Sequence, residues 1–525
     1  MNRLGIVLVF SLGFVSSRGS AQAVSPNIRI HPNPTTHQFE TSIAIHPLNP
    51  RIVLIAANAG HSSGTVSSIG WYYTTDGGVT WSGKDTLPTH MNFTARTGDP
   101  AVGIDLDGNL FVNGTSGAST FSIIAARSTD GGVNWTQTGV PNPTNNHKNY
   151  LVVDANSNSP YANRVYVTYA TINSSPINFS LSTDSGQTFS APMTINGSVG
   201  SPNTNGPNLA VGPNGELYLT WVGMGDPGPL GLNKSTSGGI SWGTPNSIRM
   251  INNVGLIKGI PFGRSLPSMA VDRSNSPRRG WVYIVYADRN PSSPDIFLIR
   301  STDYGTTWSN PVKVNQDNSG NDQWLPWICV DPATGNLFVI YYDSRNFSAN
   351  DSAEVYISAS LDGGNTFKDA SISDVPFKPA VLPVFPNYGG AYIGVSALRD
   401  TIWACWYDNR TGVHQVYASR ILLPEIVGSV EIVSSDLPES YSLEQNYPNP
   451  FNPSTEIQFS LPQRSRVTLT IFDLLGREVA TLVSEELSGG SYSTRWDAAG
   501  FSSGVYLYRL QASEFVETKK LLLLR

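Results

Sequence analysis

The chain has 525 residues, of which 14% are charged, and it contains 49 Gly and 36 Pro. Few charged residues and many turn formers, between runs rich in Thr, Val and Tyr, favour an all-β architecture over a helical bundle. The formal net charge of −6 gives no basic footprint for nucleic acid or an anionic membrane, so neither is predicted as a partner.

The N-terminus has the pattern of a secretory signal peptide. Met1-Asn2-Arg3 is a short basic start, residues 4–15 form an apolar run, and Ala21-Gln22-Ala23 is a small-x-small cleavage site. The apolar run is too short to remain as a membrane anchor. We therefore predict a signal peptide over residues 1–23 and a mature chain without a transmembrane segment, exported through the periplasm.

An octapeptide of the form Ser/Thr-x-Asp-x-Gly-x-x-Trp/Phe recurs roughly every 50 to 65 residues, a spacing typical of propeller repeats. A sixth, degenerate copy at residues 235–242 has Ser237 in place of the aspartate. In such a turn the Asp accepts N–H bonds and the Gly adopts a left-handed conformation. We therefore predict that the five aspartates are structural: Asp76, Asp130, Asp184, Asp303 and Asp362.

A pair of apolar strands precedes each octapeptide, as at residues 100–112 and 207–221. A seventh pair, at residues 392–407, is followed by one strand at 415–421 and no octapeptide. A strand at residues 27–30 would complete this last sheet and remove an exposed edge. The pattern predicts a seven-bladed β-propeller over residues 24–424, with a six-bladed propeller as the alternative.

The octapeptides resemble the Asp boxes of the BNR-repeat, sialidase-like propellers. That resemblance implies a secreted protein that acts on or binds a glycan. The chain departs from the family in two respects. Catalytic sialidases have six blades, and their Phe/Tyr-Arg-Ile-Pro motif is matched here only by Ile28-Arg29-Ile30-His31-Pro32, which has an inserted His.

Residues 425–445 have the composition of a linker, and turn signals separate short strands over residues 446–525. These strands predict a small Ig-like β-sandwich. The opening at residues 447–451, together with residues 476–479, 504–509 and 519–520, resembles a type IX secretion sorting domain. This resemblance implies a secreted or outer-surface location, with the type IX secretion machinery as a partner. An accessory carbohydrate-binding sandwich is the alternative.

In a propeller, the residues just before each innermost strand and just after the second strand face one end of the central channel. Those before innermost strands include Glu40, Arg96, Asp99, His147, Lys148 and Trp324. After second strands a Tyr-(x)-Asp-(x)-Arg signature appears three times, as Tyr286/Asp288/Arg289, Tyr342/Asp343/Arg345 and Tyr407/Asp408/Arg410. Three converging guanidinium groups would clamp a sugar carboxylate. The alternative is that each Asp pairs with a nearby Arg and holds the blade edges.

Two sets of candidate site residues follow. Acid/base and nucleophilic chemistry is predicted for Glu40, Asp99, His147, Tyr342, Asp343 and Tyr407. Substrate binding is predicted for Arg96, Lys148, Arg289, Trp324, Arg345 and Arg410. A His beside a cation also suits β-elimination of a polyuronate.

The residues and the resemblance together predict a protein that acts on or binds an anionic glycan, as a glycoside hydrolase or polysaccharide lyase. The alternative is a non-catalytic carbohydrate- or protein-binding adhesion module. We predict a monomer with no cofactor and no metal, because the chain has no zinc-ligand pattern. Cys329 and Cys405, each in an apolar run, are predicted as buried thiols, with a disulfide as the alternative.

Overall fold

The computed structural model describes residues 27–30, 35–60, 67–87, 96–117, 121–141, 145–171, 174–262, 266–290, 293–382, 388–427, 431–434, 437–498 and 501–524. The predicted signal peptide lies outside these residues. The described chain consists of β-strands and one short helix, α1 (Leu423–Val427), which confirms the predicted all-β class. Among the residues that the structure describes, no helix has the length and apolar character needed to span a bilayer.

Seven four-stranded antiparallel sheets follow one another over the described residues between 28 and 422. Sheets 1 to 3 are β2 (His37–His46), β3 (Asn49–Gly60), β4 (Ser67–Thr74), β5 (Ser82–Lys84); β6 (Arg96–Ile104), β7 (Leu110–Gly117), β8 (Ser122–Ser128), β9 (Thr136–Gly139); and β10 (Asn146–Val153), β11 (Val165–Thr171), β12 (Ile177–Ser182), β13 (Met193–Thr194).

Sheets 4 to 6 repeat this arrangement. They are β14 (Thr204–Val211), β15 (Leu217–Gly223), β16 (Gly228–Ser235), β17 (Asn246–Ile251); β18 (Ser268–Val271), β19 (Val282–Asn290), β20 (Ser293–Ser301), β21 (Val312–Lys313); and β22 (Gln323–Val330), β23 (Leu337–Asp343), β24 (Glu354–Ser360), β25 (Lys368–Ser371). Sheet 7 combines β26 (Gly394–Leu398), β27 (Thr401–Asp408) and β28 (Gln415–Leu422) with the N-terminal β1 (Ile28–Arg29).

The first strand of each sheet contacts the first strand of the next sheet, and β26 of sheet 7 contacts β2 of sheet 1. These seven inner strands line a central channel. At the outer edge of sheet 7, β1 pairs antiparallel with β28, with Ile28 opposite Ala418 and Arg29 opposite Tyr417. This pairing leaves β28 without an exposed edge and ties the start of the described chain to the end of the seventh sheet.

The Asp-box octapeptides form the turns between the third and fourth strands of the sheets. In the first copy the N–H of Thr80 donates to Asp76 Oδ1 at 2.9 Å, and Gly78 has a φ of 87°. Hydrogen bonds from Thr80 lower the pKa of Asp76 to about 2. In the degenerate copy the hydroxyl of Ser237 accepts the N–H of Ser241 at 2.8 Å, so it replaces the carboxylate. The same N–H bond is made by Asp130, Asp184, Asp303 and Asp362.

Large aromatic side chains fill the space between neighbouring sheets. Trp221, Trp403 and Tyr283 are among the largest fully buried side chains. They lie on second strands, where alternate residues face the two adjoining sheets. Cys405 is buried and Cys329 half-buried, and both are free thiols. Burial raises the pKa of Cys405 to about 12, so its thiol is inert at neutral pH.

The C-terminal part folds as two four-stranded sheets. Sheet 8 has the order β29 (Glu431–Ser434), β34 (Gly490–Asp497), β31 (Ser454–Leu461), β30 (Ser442–Leu443), and sheet 9 has the order β33 (Glu478–Leu487), β32 (Ser465–Phe472), β35 (Gly504–Ala512), β36 (Phe515–Leu523). Ile457 and Trp496 of sheet 8 share one core with Leu469 and Tyr508 of sheet 9.

Residues 425–445 were predicted as a linker, and the structure corrects this. β29 pairs with β34 and β30 pairs with β31, so part of the segment belongs to sheet 8. Both strands lie at the edges of sheet 8 and have only four and two residues, which is too short for the alternation of a central strand to appear in the sequence.

Candidate functional site

Three successive inner strands each contain a residue in the left-handed backbone conformation. Their φ values are 56° for Glu40, 55° for Asp99 and 48° for Lys148. The pairing register with the second strand shifts at each of these residues. Such β-bulges re-aim side chains, and a left-handed non-glycine residue is strained unless its surroundings hold it. The equivalent register shifts of sheets 4 and 6 contain Gly206 and Leu325.

The side chains of these three residues meet at one end of the channel, where Tyr388 joins them. The Lys148 ammonium lies 3.0 Å from Glu40 Oε1 and 3.2 Å from Asp99 Oδ1. The Tyr388 hydroxyl donates to Glu40 Oε1 at 2.8 Å. The three charged side chains are buried. We call Glu40, Asp99, His147, Lys148 and Tyr388 the mouth cluster.

Neighbouring polar groups hold the two carboxylates of the mouth cluster in place. The Asn58 side-chain amide donates to Glu40 Oε2 at 2.7 Å. The N–H of Lys148 donates to Asp99 Oδ2 at 3.2 Å, and its ammonium lies 4.7 Å from the ring centroid of Tyr392. Each of the four carboxylate oxygens therefore has a donor, which offsets the cost of burying the charges.

The ionisation of the mouth cluster follows from these contacts. Burial opposes ionisation of Asp99, but the Lys148 ammonium and His147 outweigh it and lower the pKa of Asp99. Burial would lower the pKa of Lys148, but Asp99 and Glu40 raise it. Burial raises the pKa of the Tyr388 hydroxyl and lowers that of the His147 imidazole. At neutral pH the cluster therefore holds an ammonium and an aspartate beside a neutral phenol and a neutral imidazole.

Two members of the mouth cluster are accessible to a ligand. The His147 side chain is 42% exposed, and its Nε2 lies 3.6 Å from Asp99 Oδ2. Tyr388 is half-buried. A neutral imidazole accepts a proton and a phenol donates one, so this pair can serve acid/base chemistry. The buried charged side chains of Glu40, Asp99 and Lys148 lie on the inner side of this pair.

Aromatic rings divide the channel beneath the mouth cluster. The ring centroids of Tyr150 and Trp327 are 5.7 Å apart, and those of Trp327 and Tyr392 are 6.1 Å apart. These rings come from sheets 3, 6 and 7, so they meet across the channel. Between them and Lys148 lies a small cavity of about 30 Å³. A larger chamber of about 260 Å³ continues toward the other end of the channel.

The predicted catalytic tyrosines lie away from the mouth cluster. Tyr342 is fully buried, and its hydroxyl donates to the carbonyl of Tyr407 at 2.6 Å. The Tyr407 hydroxyl donates to the carbonyl of Gly389 at 2.9 Å. The Tyr407 hydroxyl thus holds the residue after Tyr388, whereas the Tyr342 hydroxyl holds the backbone of β27. We therefore do not include Tyr342 or Tyr407 in the candidate site.

The predicted arginine clamp is replaced by local ion pairs. Arg345 lies 2.7 Å from Asp343 and 2.8 Å from Asp369, which belongs to the outermost strand of sheet 6. Arg410 lies 2.6 Å from Asp408. Asp343 and Asp408 are the last residues of the second strands β23 and β27, so each guanidinium group is held by a carboxylate of its own sheet. The repeated signature is therefore interpreted as an architectural ion pair, and Asp343 has no place in the candidate site.

The remaining predicted binding residues are also dispersed. Arg289 pairs with Asp226 at 3.1 Å, and both side chains are exposed. Trp324 is 1% exposed, because the Phe262 ring packs 5.6 Å from it, measured between centroids. Arg96 begins β6, and its side chain lies outside the described part of the structure. Of the predicted site, the structure brings together Glu40, Asp99, His147 and Lys148.

Sequence reasoning missed Tyr388, Asn58 and Tyr392. Tyr388 precedes the inner strand of sheet 7, β26, which is the position used to select Glu40 and Asp99. Applying the same rule to the seventh strand pair would have found it. Asn58 lies in the middle of β3, and only the fold brings it to Glu40. Within the described ranges, no three or more His, Cys, Asp or Glu side chains are placed to hold a metal ion.

Comparison with known proteins supports the predicted resemblances. Residues 29–250 match the BNR repeat-like domain, and residues 445–524 match the secretion system C-terminal sorting domain. A sialidase of Micromonospora viridifaciens is 31% identical over 137 residues, which cover 22% of this chain and 20% of that protein. The chain thus spans about a fifth of the length of the curated relative that it matches.

Similar solved structures have low sequence identity. A protein of unknown function from Dyadobacter fermentans is 17% identical, with 62% of this chain and 95% of that chain covered and a TM-score of 0.42. An ulvan lyase of a new polysaccharide lyase family is 12% identical, with 77% and 95% covered and a TM-score of 0.45. The NanB sialidase of Streptococcus pneumoniae is 14% identical, with 77% and 71% covered and a TM-score of 0.41.

Each family match falls within one of the two groups of sheets. The BNR match begins at β1 and runs into sheet 4, and the sorting-domain match covers most of sheets 8 and 9. The sorting domain marks the protein for export by the type IX secretion system to the cell surface or beyond. The chain therefore carries a BNR repeat-like domain similar to sialidases, followed by a type IX secretion sorting domain.

Proposed function

We propose that the exported protein acts on a glycan at the mouth cluster. The observation that carries this proposal is the hydrogen bond from the Tyr388 hydroxyl to Glu40, next to the Lys148 ammonium and the exposed His147. The local similarity to a sialidase and the export signal support an extracellular carbohydrate as the ligand. Because that similarity covers a small part of the relative, the activity rests on the site geometry.

The mouth cluster has the groups that glycosyl transfer needs. As the Tyr388 oxygen forms a bond to the anomeric carbon, its proton passes to Glu40 along the existing 2.8 Å hydrogen bond. The Lys148 ammonium, 3.4 Å from that oxygen, stabilises the developing negative charge. The leaving oxygen takes a proton from a water molecule held by the His147 imidazole, which leaves a hydroxide ion there. In the second step this hydroxide attacks the anomeric carbon, the bond to Tyr388 breaks, and Glu40 returns its proton to the phenolate.

An anionic glycan remains the first substrate class to test, although the predicted clamp does not support it. Arg345 is compensated by Asp343 and Asp369, and Arg410 by Asp408, and the Lys148 ammonium already contacts two carboxylates. None of these three cations is therefore left uncompensated for a sugar carboxylate. For this reason a neutral arabinan belongs in the same screen as sialosides and polyuronates.

Kinetics on purified variants test the proposal. Tyr388→Phe removes the nucleophile, and His147→Gln removes the proton-handling imidazole. We expect each to lower kcat by about 100-fold or more on any substrate that the parent turns over. Tyr342→Phe is the matched control, because it removes a buried phenol that does not touch the mouth cluster. Equal activity of Tyr388→Phe and the parent would refute the proposed role of Tyr388.

Binding without turnover is the second candidate function. It is favoured by the charges of Glu40, Asp99 and Lys148, which neutralise one another. Few groups of the mouth cluster are then left to transfer protons to or from a substrate. Calorimetric titration with the same glycans separates the two functions. A parent that binds a glycan without product formation, and loses binding in His147→Gln, supports the binding module. If the protein neither turns over nor binds any glycan of the panel, both proposed functions are rejected.

We also propose the finer architecture. The seven sheets are the blades of a seven-bladed propeller within residues 24–424, closed by β1, and residues 1–23 are a signal peptide. Sheets 8 and 9 are an Ig-like sandwich. The contacts between consecutive inner strands and the shared core of the last two sheets support this arrangement.

A further inference from the structure

Two adjacent leucines of the C-terminal part project into solvent. Leu474 is 68% exposed and Leu475 is 78% exposed, at the turn between β32 and β33. In the preceding strand the side chains of Val467, Leu469 and Ile471 are completely buried. A single exposed leucine is ordinary, but two in succession on a tight turn form a contiguous apolar tip.

The turn that presents the two leucines is rigid. Asp473 Oδ1 accepts the N–H of Leu475 at 2.9 Å and the N–H of Arg477 at 3.0 Å. The Arg477 guanidinium contacts Asp473 Oδ2 at 2.7 Å, and Gly476 has a φ of 77°. These hydrogen bonds lower the pKa of Asp473, and the bond from the backbone N–H of Arg477 contributes most to the shift. The side chains of Leu474 and Leu475 are therefore held outward before any partner arrives, which reduces the entropy lost on binding.

We propose that this leucine tip is the contact by which a protein of the type IX secretion machinery recognises the chain, through an apolar pocket that receives Leu474 and Leu475. The turn lies within residues 445–524, which match the secretion system C-terminal sorting domain. A sorting domain must be bound by another protein in order to direct export, and a pre-organised apolar tip is a suitable anchor for such binding.

The charge around the tip favours a protein pocket over a lipid surface. Arg477 is the cation of the turn, and Asp473 already compensates it. Glu478 follows directly. Insertion at an anionic membrane surface uses clusters of Lys and Arg with a broad apolar face. Two leucines on a turn whose single cation is already compensated fit a small pocket in a protein instead.

Export of the full chain from a bacterium with a type IX system tests this contact. The double variant Leu474→Ser/Leu475→Ser removes the apolar tip and leaves the turn bonds of Asp473 intact. We expect at least about tenfold less protein outside the cell, with accumulation in the periplasm, because paired apolar anchors dominate small interfaces. Normal export of this variant would overturn the proposal.

Two controls separate recognition from folding. Leu474→Met/Leu475→Met keeps an apolar tip and should be exported like the parent; failure of this variant would also overturn the proposal. Val516→Ser alters a side chain of β36 that is 56% exposed and should export normally. The thermal midpoints of the purified proteins should agree within a few degrees, because the leucines bury little surface. A large fall for the Ser variant would assign the leucines to folding and reject the contact.

Discussion

The molecule contains two kinds of buried ion pair, and they differ in where the partners come from. In the mouth cluster, Lys148 contacts Glu40 from 108 residues away and Asp99 from 49 residues away. In the arginine motif, Arg345 contacts Asp343, at the end of β23, from 2 residues away. A pair that recurs within one local motif stabilises the repeat itself. A cluster assembled from three different sheets is the kind of arrangement expected of a functional site.

The two kinds of pair also differ in how burial acts on their carboxylates. In the mouth cluster the pKa of Asp99 is lowered, since the Lys148 ammonium and His147 together outweigh burial. In the arginine motif, burial raises the pKa of Asp343 and of Asp408 in spite of their arginines. Ionised Asp99 therefore favours the folded state, whereas ionisation of Asp343 and Asp408 opposes it.

The largest effect is expected from deleting residues 24–32, which removes β1 from the outer edge of sheet 7. Ile30 is buried, and the Asn27 amide donates to the carbonyl of Ile372 at 2.7 Å. The deletion exposes the edge of β28 and apolar surface, so we expect loss of the cooperative thermal transition and aggregation. Asp184→Ala is the control and should cost only about 1–2 kcal/mol of unfolding free energy. An unchanged melting curve after the deletion would show that β1 does not close the fold.

Lys148→Met should have the next largest effect, because it leaves Glu40 and Asp99 buried without their cation. We expect the free energy of unfolding in urea to fall by about 3–5 kcal/mol. The triple variant Glu40→Gln/Asp99→Asn/Lys148→Met removes all three charges and should recover much of the loss. A triple variant no more stable than the single one would mean that Lys148 acts through packing.

Arg345→Met tests the ion pair of the arginine motif. It should lower the free energy of unfolding by about 3 kcal/mol, because Asp343 and Asp369 lose their cation. Glycan turnover or binding should remain at the parental level, since Arg345 does not touch the mouth cluster. The two measurements are urea unfolding and the glycan assay described above. A selective loss of glycan activity, with stability unchanged, would restore the arginine clamp.

The smallest effect is a difference in pH dependence. A lowered carboxyl pKa adds stability above the unfolded pKa, about 3.9 for Asp, and this stability is lost as the pH falls through the folded value. Asp99→Asn should therefore flatten the acid-side decline of unfolding free energy. Asp343 has a raised pKa, so its contribution has the opposite sign and Asp343→Asn should steepen the decline. Slopes that change in the same direction would contradict the contrast.

The strand repeats could be predicted from the sequence because the signals are local. Alternating apolar residues and the Asp-box turns determine hairpins within about ten residues of chain, and strands such as β7 and β15 appear where the pattern places them. Strand β33 of sheet 9 is harder to predict, because it carries charged residues and lies at a sheet edge. Its alternation of apolar residues is therefore too weak to indicate a strand.

Four of the five residues of the mouth cluster could also be predicted, for a geometric reason. Glu40, Asp99, His147 and Lys148 were found because one position in each repeat faces one end of the channel. The arginine motif also repeats at one position of the repeat, and for this reason it suggested a shared binding site. Its guanidinium groups, however, pair with nearby Asp side chains. A local sequence pattern does not determine which neighbouring carboxylate a flexible Arg side chain will contact.

The sequence by itself determined the all-β class, the repeat and its turns, the export signal, and which end of the channel carries charge. All of these depend on contacts between residues close in the chain. The tertiary structure alone decided that Lys148 bridges Glu40 and Asp99, that Tyr388 completes the cluster, and that Arg345 and Arg410 pair with carboxylates of their own sheets. Those contacts join residues as far as 348 positions apart. A buried charge requires a partner of opposite sign, and only the fold determines which residue that partner is.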